Sequence, residues 1–353
     1  MIDVRPVGYV MGSLTAALGV TMVAPMALDI ATANGNARAF GEAALFTAFT
    51  GGMVALACQS GGRREWNIRQ AFLLTFLIWA VLPAFAALPF MLGEPRAGLT
   101  DAVFESVSGM TTTGSTVFVG IDAFPAGLNL WRGMLNWFGG IGIAYIAMIF
   151  LPHLRLGGMQ FFRAQGFDTL GKTLPRAVDI ARGLLAVYVG LTAVCAATYS
   201  LLGMSPLDAV VCAMASIATG GFSPMDASFA KYPGAPEYAG AIFMILGSMP
   251  YVRFMQLAAG SARPFLYDVQ VRAYLAWIAI AVGAVTAWRV AHGAPVEPAF
   301  RESFFNLVSV MSGTGFFSAD VGSWGGFALG VVAIVGIIGG CTSSSSGALS
   351  VFR

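Results

Sequence analysis

The chain has 353 residues, 57% of them hydrophobic and only 10% charged, with a mean hydropathy of +0.77. Soluble domains carry about 25% charged residues, so the composition excludes an ordinary soluble domain and indicates a polytopic membrane protein. Apolar stretches of about 20 residues, the length that spans a bilayer, recur along the chain. The net charge of +2 supplies no basic face of the kind nucleic acid requires.

Cys58, Cys195, Cys212 and Cys341 are scattered, mostly within apolar runs, with no metal-ligand spacing, and read as small buried hydrophobes. His153 and His292 are isolated at two helix ends. No small-residue cleavage site follows a short apolar core at the N-terminus, so no removable signal peptide is expected. An intramembrane enzyme would need a Ser/His, paired-Asp or His-rich cluster on facing spans, and none is present.

In chain order, spans over 7–28 and 40–58 form an N-terminal hairpin, followed by the basic loop at 61–69. A span over 71–92 follows. Thr100 and Asp101 then start an amphipathic helix to about Met110, too short to cross a bilayer. The run Thr111-Thr112-Thr113-Gly114-Ser115-Thr116 follows, then a Gly/Pro/Asp loop and a span over 131–151 with Gly139, Gly140 and Gly142. Small residues of that kind let helices approach closely in lipid.

The order span, short helix, hydroxyl–glycine run, polar loop, span repeats twice. The second unit has spans over 183–202 and 239–259, with a short helix from Ser205 and the run Ile217-Ala218-Thr219-Gly220-Gly221-Phe222-Ser223. The third has a span over 273–292, a short helix over 298–311, the run Ser312-Gly313-Thr314-Gly315-Phe316-Phe317, and a return span from near Trp324. Gly114 and Gly220 are 106 residues apart and Gly220 and Gly315 are 95 apart, the signature of an internal repeat. The expected division is a hairpin over 1–62 and pore units over 63–155, 156–262 and 263–353. The expected fold class is all-α and polytopic, with helix–pore-loop–helix units around a central ion pore.

Basic residues concentrate in the loops holding Arg63–Arg69, Arg155–Arg182 and Arg263–Arg272, and Asp101, Asp122, Asp208, Asp226 and Asp320 lie on the other side. The positive-inside rule places the N-terminus in the cytoplasm and all three runs toward the outside. Arg289 is the exception, a residue that snorkels or pairs with a carboxylate.

One Thr-Thr-Thr-Gly alone reads as a polar turn. Three such runs, each after a too-short helix on one face, read as a pore lining. Irregular backbone at membrane depth is tolerated where it lines water or an ion path, and inward carbonyls can replace a cation's hydration shell. Each short helix turns its C-terminal end, about half a negative charge, toward the path. Asp101 and Asp208, at the opposite ends, read as helix-stabilising carboxylates.

The stretch from Glu105 to Thr116, Trp131-Arg132-Gly133-Met134 with Trp137–Gly142, Leu156–Gln160, Ile217–Ser223 and Gly339-Gly340-Cys341 resemble the TrkH-type subunit of the Trk/Ktr/HKT potassium transporter superfamily. The resemblance covers essentially the whole chain. It implies potassium as the transported ion, with no organic cofactor, in a bacterial cytoplasmic (inner) membrane. It implies four pore units around one path, a homodimer, and a cytosolic nucleotide-binding TrkA-like ring that gates it. It equates Gly114, Gly220 and Gly315 with the filter glycines, with Thr111, Thr112, Thr113, Ile217, Ala218, Thr219, Ser312, Gly313 and Thr314 completing the three ion-binding strands.

The resemblance also implies an intramembrane gate loop at Gly339, Gly340, Cys341, Thr342, Ser343, Ser344, Ser345, Ser346 and Gly347. A Gly/Ser stretch of that length does not continue a helix; its other reading is the end of the span and a flexible tail. The sequence departs from the family in its gate loop, where Ser350 replaces a lysine, and in lacking a fourth unit before Arg353. The expected function is therefore potassium uptake through a carbonyl-lined filter, with a truncated, non-conducting assembly subunit of the same family as the alternative.

Overall fold

A computed structural model of the chain describes residues 3–61, 67–150, 177–258, 260–342 and 344–349. Among these residues all regular structure is helical. Stretches Arg5–Ala31, Ala37–Ala57, Arg69–Leu92, Arg182–Leu201 and Val269–Ala291 are long and apolar enough to cross a membrane. The fold is thus all-α and polytopic.

The first stretch comprises α1 (Arg5–Thr21) and α2 (Val23–Ala31), which pack on α3 (Ala37–Ala57). Gly12, Gly19 and Gly51 let α1 and α3 meet backbone to backbone; a Cβ at Gly51 would strike the backbone around Thr15 and Ala16. This hairpin does not stand apart from the rest. Buried Asp29 at its tip accepts from Gly127 N at 2.6 Å, from Asn34 Nδ2 at 2.6 Å and from Asn36 Nδ2 at 3.2 Å. Asp29 so satisfies an orphan donor in the first turn of α7, as helix N-termini require.

The first unit has α4 (Ile68–Ala86), α5 (Leu88–Leu92), the short α6 (Leu99–Met110) and α7 (Ala126–Phe150). The second has α8 (Ala177–Leu201), the short α9 (Pro206–Ala218), α10 (Ala235–Gly247) and α11 (Tyr251–Ala258); the third has α12 (Arg263–Leu266), α13 (Val269–Ala291), α14 (Val296–Ser312) and α15 (Gly326–Ile338). Ser205 caps α9, its Oγ accepting from Asp208 N at 3.2 Å. Asp101 and Asp208 lie in the first turns of α6 and α9, where a carboxylate complements the helix dipole.

The expected continuous return span over 239–259 is instead broken. The axes of α10 and α11 meet at 93°, where Pro250 lacks the N–H a continuing helix would use. Cys195, Cys212 and Cys341 are buried, but Cys58 is only half-buried. Arg289 takes the pairing option, bonding Glu302 Oε2 at 2.6 Å and lying over the Trp324 ring. Arg155, Arg163, Lys172 and Arg176, His153, and the motif Leu156–Gln160 lie outside the described residues, as do Arg63, Arg64 and Ser343.

Candidate functional site: three runs edge to edge

Each run follows the C-terminus of a short helix and turns in the same way. Thr113 N bonds Ser108 O, Gly220 N bonds Ala215 O and Thr314 N bonds Ser309 O, all at 2.9 Å. These bonds close the helix end through a left-handed residue: Thr112 at φ +55°, Thr219 at φ +50° and Gly313 at φ +77°. Two residues later a second left-handed position recurs, at Gly114, Gly221 and Gly315, with φ +77°, +77° and +86°. The register therefore aligns Gly221, one residue beyond Gly220, with Gly114 and Gly315. Gly220 aligns with Thr113 and Thr314, and Ile217 belongs to the last turn of α9. A non-glycine side chain in the left-handed region is strained, which accounts for the recurring glycine.

The runs touch. A Cβ on Gly114 would collide with the carbonyl oxygen of Gly220, and one on Gly221 with the carbonyl oxygen of Thr314. The oxygen of one run thus faces the glycine of the preceding run around an arc. At Gly315 a Cβ would meet nothing within 4 Å among the described residues.

In the same register, position −13 from the glycine is acidic in all three units: Asp101, Asp208 and Glu302. Position −9 holds Glu105, Cys212 and Asn306, and in the first and third units it fixes the segment leaving the run. Glu105 Oε2 accepts from Val117 N at 3.2 Å, and Asn306 Oδ1 accepts from Ser318 N at 3.2 Å. In the second unit the matching residue is Pro224, which has no N–H, and position −9 is the thiol Cys212.

Glu105 is also half of a buried ion pair. Arg132 Nε donates to Glu105 Oε1 at 2.8 Å, with both side chains at most 1% exposed. Arg132 Nη1 reaches across to Ser223 O at 2.7 Å, and the guanidinium lies 4.4 Å from the Phe222 ring centroid. Arg132 thus ties the first unit to the strand leaving the second run. Sequence reasoning assigned neither Glu105 nor Arg132 a role, although two opposite charges in otherwise apolar segments are the signal that would have found them.

The loop after α15 begins at Gly339, φ +72°, and packs against the end of α9 and the break between α10 and α11. Cys341 N donates to Ser248 O at 3.1 Å, at the break between α10 and α11. Thr342 donates from N and Oγ1 to Gln270 Oε1, at 3.1 and 2.6 Å. Ser345 Oγ donates to Ile217 O at 2.9 Å, with Gly247 O at 3.1 Å and Tyr251 OH at 3.0 Å. Ser344 Oγ and Ser346 Oγ bond within the loop, to Cys341 O and from Gly340 N. Gly347 N lies 3.6 Å from where a Gly313 Cβ would stand. The loop is thus packed, not a free tail.

Repeated short helices that end in edge-to-edge runs, set among helices long and apolar enough to cross a membrane, define a multi-pass membrane protein of the transporter class. Residues 37–352 match the model of the TrkH cation transport protein family, and the chain belongs to that family. It is 40% identical over 352 residues to the Trk system potassium uptake protein TrkI of Halomonas elongata, covering 99% of this chain and 71% of that protein. It is 33% identical over 356 residues to the Trk system potassium uptake protein TrkH of Escherichia coli, covering 99% and 74%. The crystal structure of the potassium transporter TrkH from Vibrio parahaemolyticus matches with a TM-score of 0.90 and 30% identity, covering all of this chain and 74% of that one.

Proposed function

We propose that this chain carries potassium into the cell across the cytoplasmic membrane, through a filter whose walls include Thr111–Gly114, Ala218–Gly221 and Ser312–Gly315. The observation that carries the reading is the contact of Gly114 with the Gly220 carbonyl and of Gly221 with the Thr314 carbonyl. Backbone oxygens handed from run to run around an arc are what a cation needs in place of its hydration shell. The C-terminal ends of α6, α9 and α14, each with partial negative charge, all meet at this arc. Potassium is the substrate, and the reading follows the potassium named for the relatives. The face of Gly315, open among the described residues, suits a fourth run of the same shape. On the family pattern the subunit works as a homodimer, with its N-terminus in the cytoplasm and a TrkA-like cytosolic ring as regulator. The loop Gly339–Gly347 serves as the gate beneath the filter.

The test is potassium-limited growth and rubidium uptake in bacterial cells lacking their own potassium uptake systems. Rescue that rises with expression is the expected result. Stable membrane expression with neither growth nor uptake would favour the non-conducting assembly subunit.

A further inference from the structure

We propose that Asn136 is a positioning residue for cation discrimination, supplying from the first unit a polar group that the second run lacks. This inference rests on the transport reading above. In the first run, Thr111 Oγ1 and Thr113 Oγ1 form a hydroxyl pair at 2.8 Å. In the third, Ser312 Oγ and Thr314 Oγ1 form the same pair at 2.6 Å. The aligned residues of the second run are Ala218 and Gly220, with no hydroxyl at either position.

The space is not empty. A Cβ on Gly220 would lie 2.5 Å from Asn136 Cγ and 2.7 Å from its Nδ2. The carboxamide of Asn136, carried by α7 of the neighbouring unit, therefore stands where the side chain of a threonine at 220 would begin. Gly220 carries no positive φ, so its backbone does not demand glycine; the neighbouring amide does.

Asn136 is fully buried, and neither Oδ1 nor Nδ2 has a hydrogen-bond partner among the described residues. A buried amide bonded to nothing lowers stability, and an apolar side chain of similar shape would raise it. The fold alone thus gives no reason for asparagine here. What it offers is two donors and an acceptor beside the Gly220 peptide, whose carbonyl is the one that faces Gly114. As that strand adjusts to a cation, the amide can bond to it as the hydroxyl pairs bond within the other two runs. The second wall is then held by the same chemistry, delivered from the adjacent helix.

The experiment compares wild type, Asn136→Leu and the double variant Asn136→Ala/Gly220→Thr, which moves the hydroxyl back onto the second run. Readouts are potassium and sodium uptake in cells lacking native potassium uptake, and the melting temperature of the purified protein. Asn136→Leu is expected to lower potassium-over-sodium preference about tenfold, the loss of one hydrogen bond to a charged or polarised site, with a melting temperature equal to or above wild type. The double variant is expected to regain most of the preference. Unchanged preference in Asn136→Leu overturns the proposal. If Asn136→Leu does not accumulate, the double variant decides: wild-type preference supports the proposal and lost preference overturns it. Absence of potassium uptake by wild type is a different result, and it sinks the transport reading and this one with it.

Discussion

The Ser345 hydroxyl donates to the carbonyl oxygen of Ile217 at 2.9 Å. Ile217 lies in the last turn of α9, where a helix leaves carbonyls without intrahelical partners. Tyr251 OH bonds the same oxygen at 3.1 Å. The loop after α15 is thereby pinned to the end of α9 and to the bend between α10 and α11. Ser345→Ala removes one such bond, worth about 1 kcal/mol. If the loop closes the path, the variant raises uptake about fivefold. Rates equal to wild type for both Ser345→Ala and Tyr251→Phe would show that the loop does not gate.

The three left-handed glycines should not be equally sensitive. Gly114→Ala and Gly221→Ala meet both positive φ and a neighbouring carbonyl, whereas among the described residues Gly315→Ala meets positive φ alone. The φ strain costs on the order of 1 kcal/mol; the collision also moves the adjacent run. Potassium selectivity is expected to fall in the order Gly221 and Gly114 before Gly315, measured as the uptake ratio of potassium to sodium. An equal or greater loss at Gly315 would contradict this ranking.

Glu105 and Arg132 are buried together, so removing either strands a charge. Glu105→Ala and Arg132→Ala are each expected to cost about 3–5 kcal/mol, read as the midpoint of thermal or denaturant unfolding in detergent. The double variant should cost less than the sum. Strict additivity, within about 0.5 kcal/mol, would mean the two side chains are not coupled.

Asp29 fastens the N-terminal hairpin to α7 through Gly127 N. Asp29→Ala leaves that donor and the buried Asn36 amide without their acceptor, a loss of about 1–3 kcal/mol. Asp29→Asn keeps an acceptor and should lose less. Proteolysis at the 32–36 turn offers an independent readout: faster cleavage in Asp29→Ala than in Asp29→Asn is expected, and equal rates would count against the fastening.

The sequence by itself determined a membrane protein of repeated units, because composition and the recurrence of too-short helices before Thr/Gly runs depend only on local order. The left-handed positions were legible only in part: Gly114 and Gly315 state a backbone freedom directly, whereas Thr112 and Thr219 are β-branched residues that disfavour the positive φ they adopt. The sequence misaligned the second run by one residue. Thr219-Gly220-Gly221 offers two glycines, and only the bond of Gly220 N to Ala215 O decides which one matches Gly114. Tertiary structure alone decided what lies between the units. The Arg132–Ser223 bond joins residues 91 apart and the Ser345–Ile217 bond residues 128 apart, and no local periodicity encodes either. The bend at Pro250 was hidden because its flanks are apolar enough to read as one span. Asn136 went unnoticed for the same physical reason: an amide in an apolar helix has meaning only through the glycine it stands against.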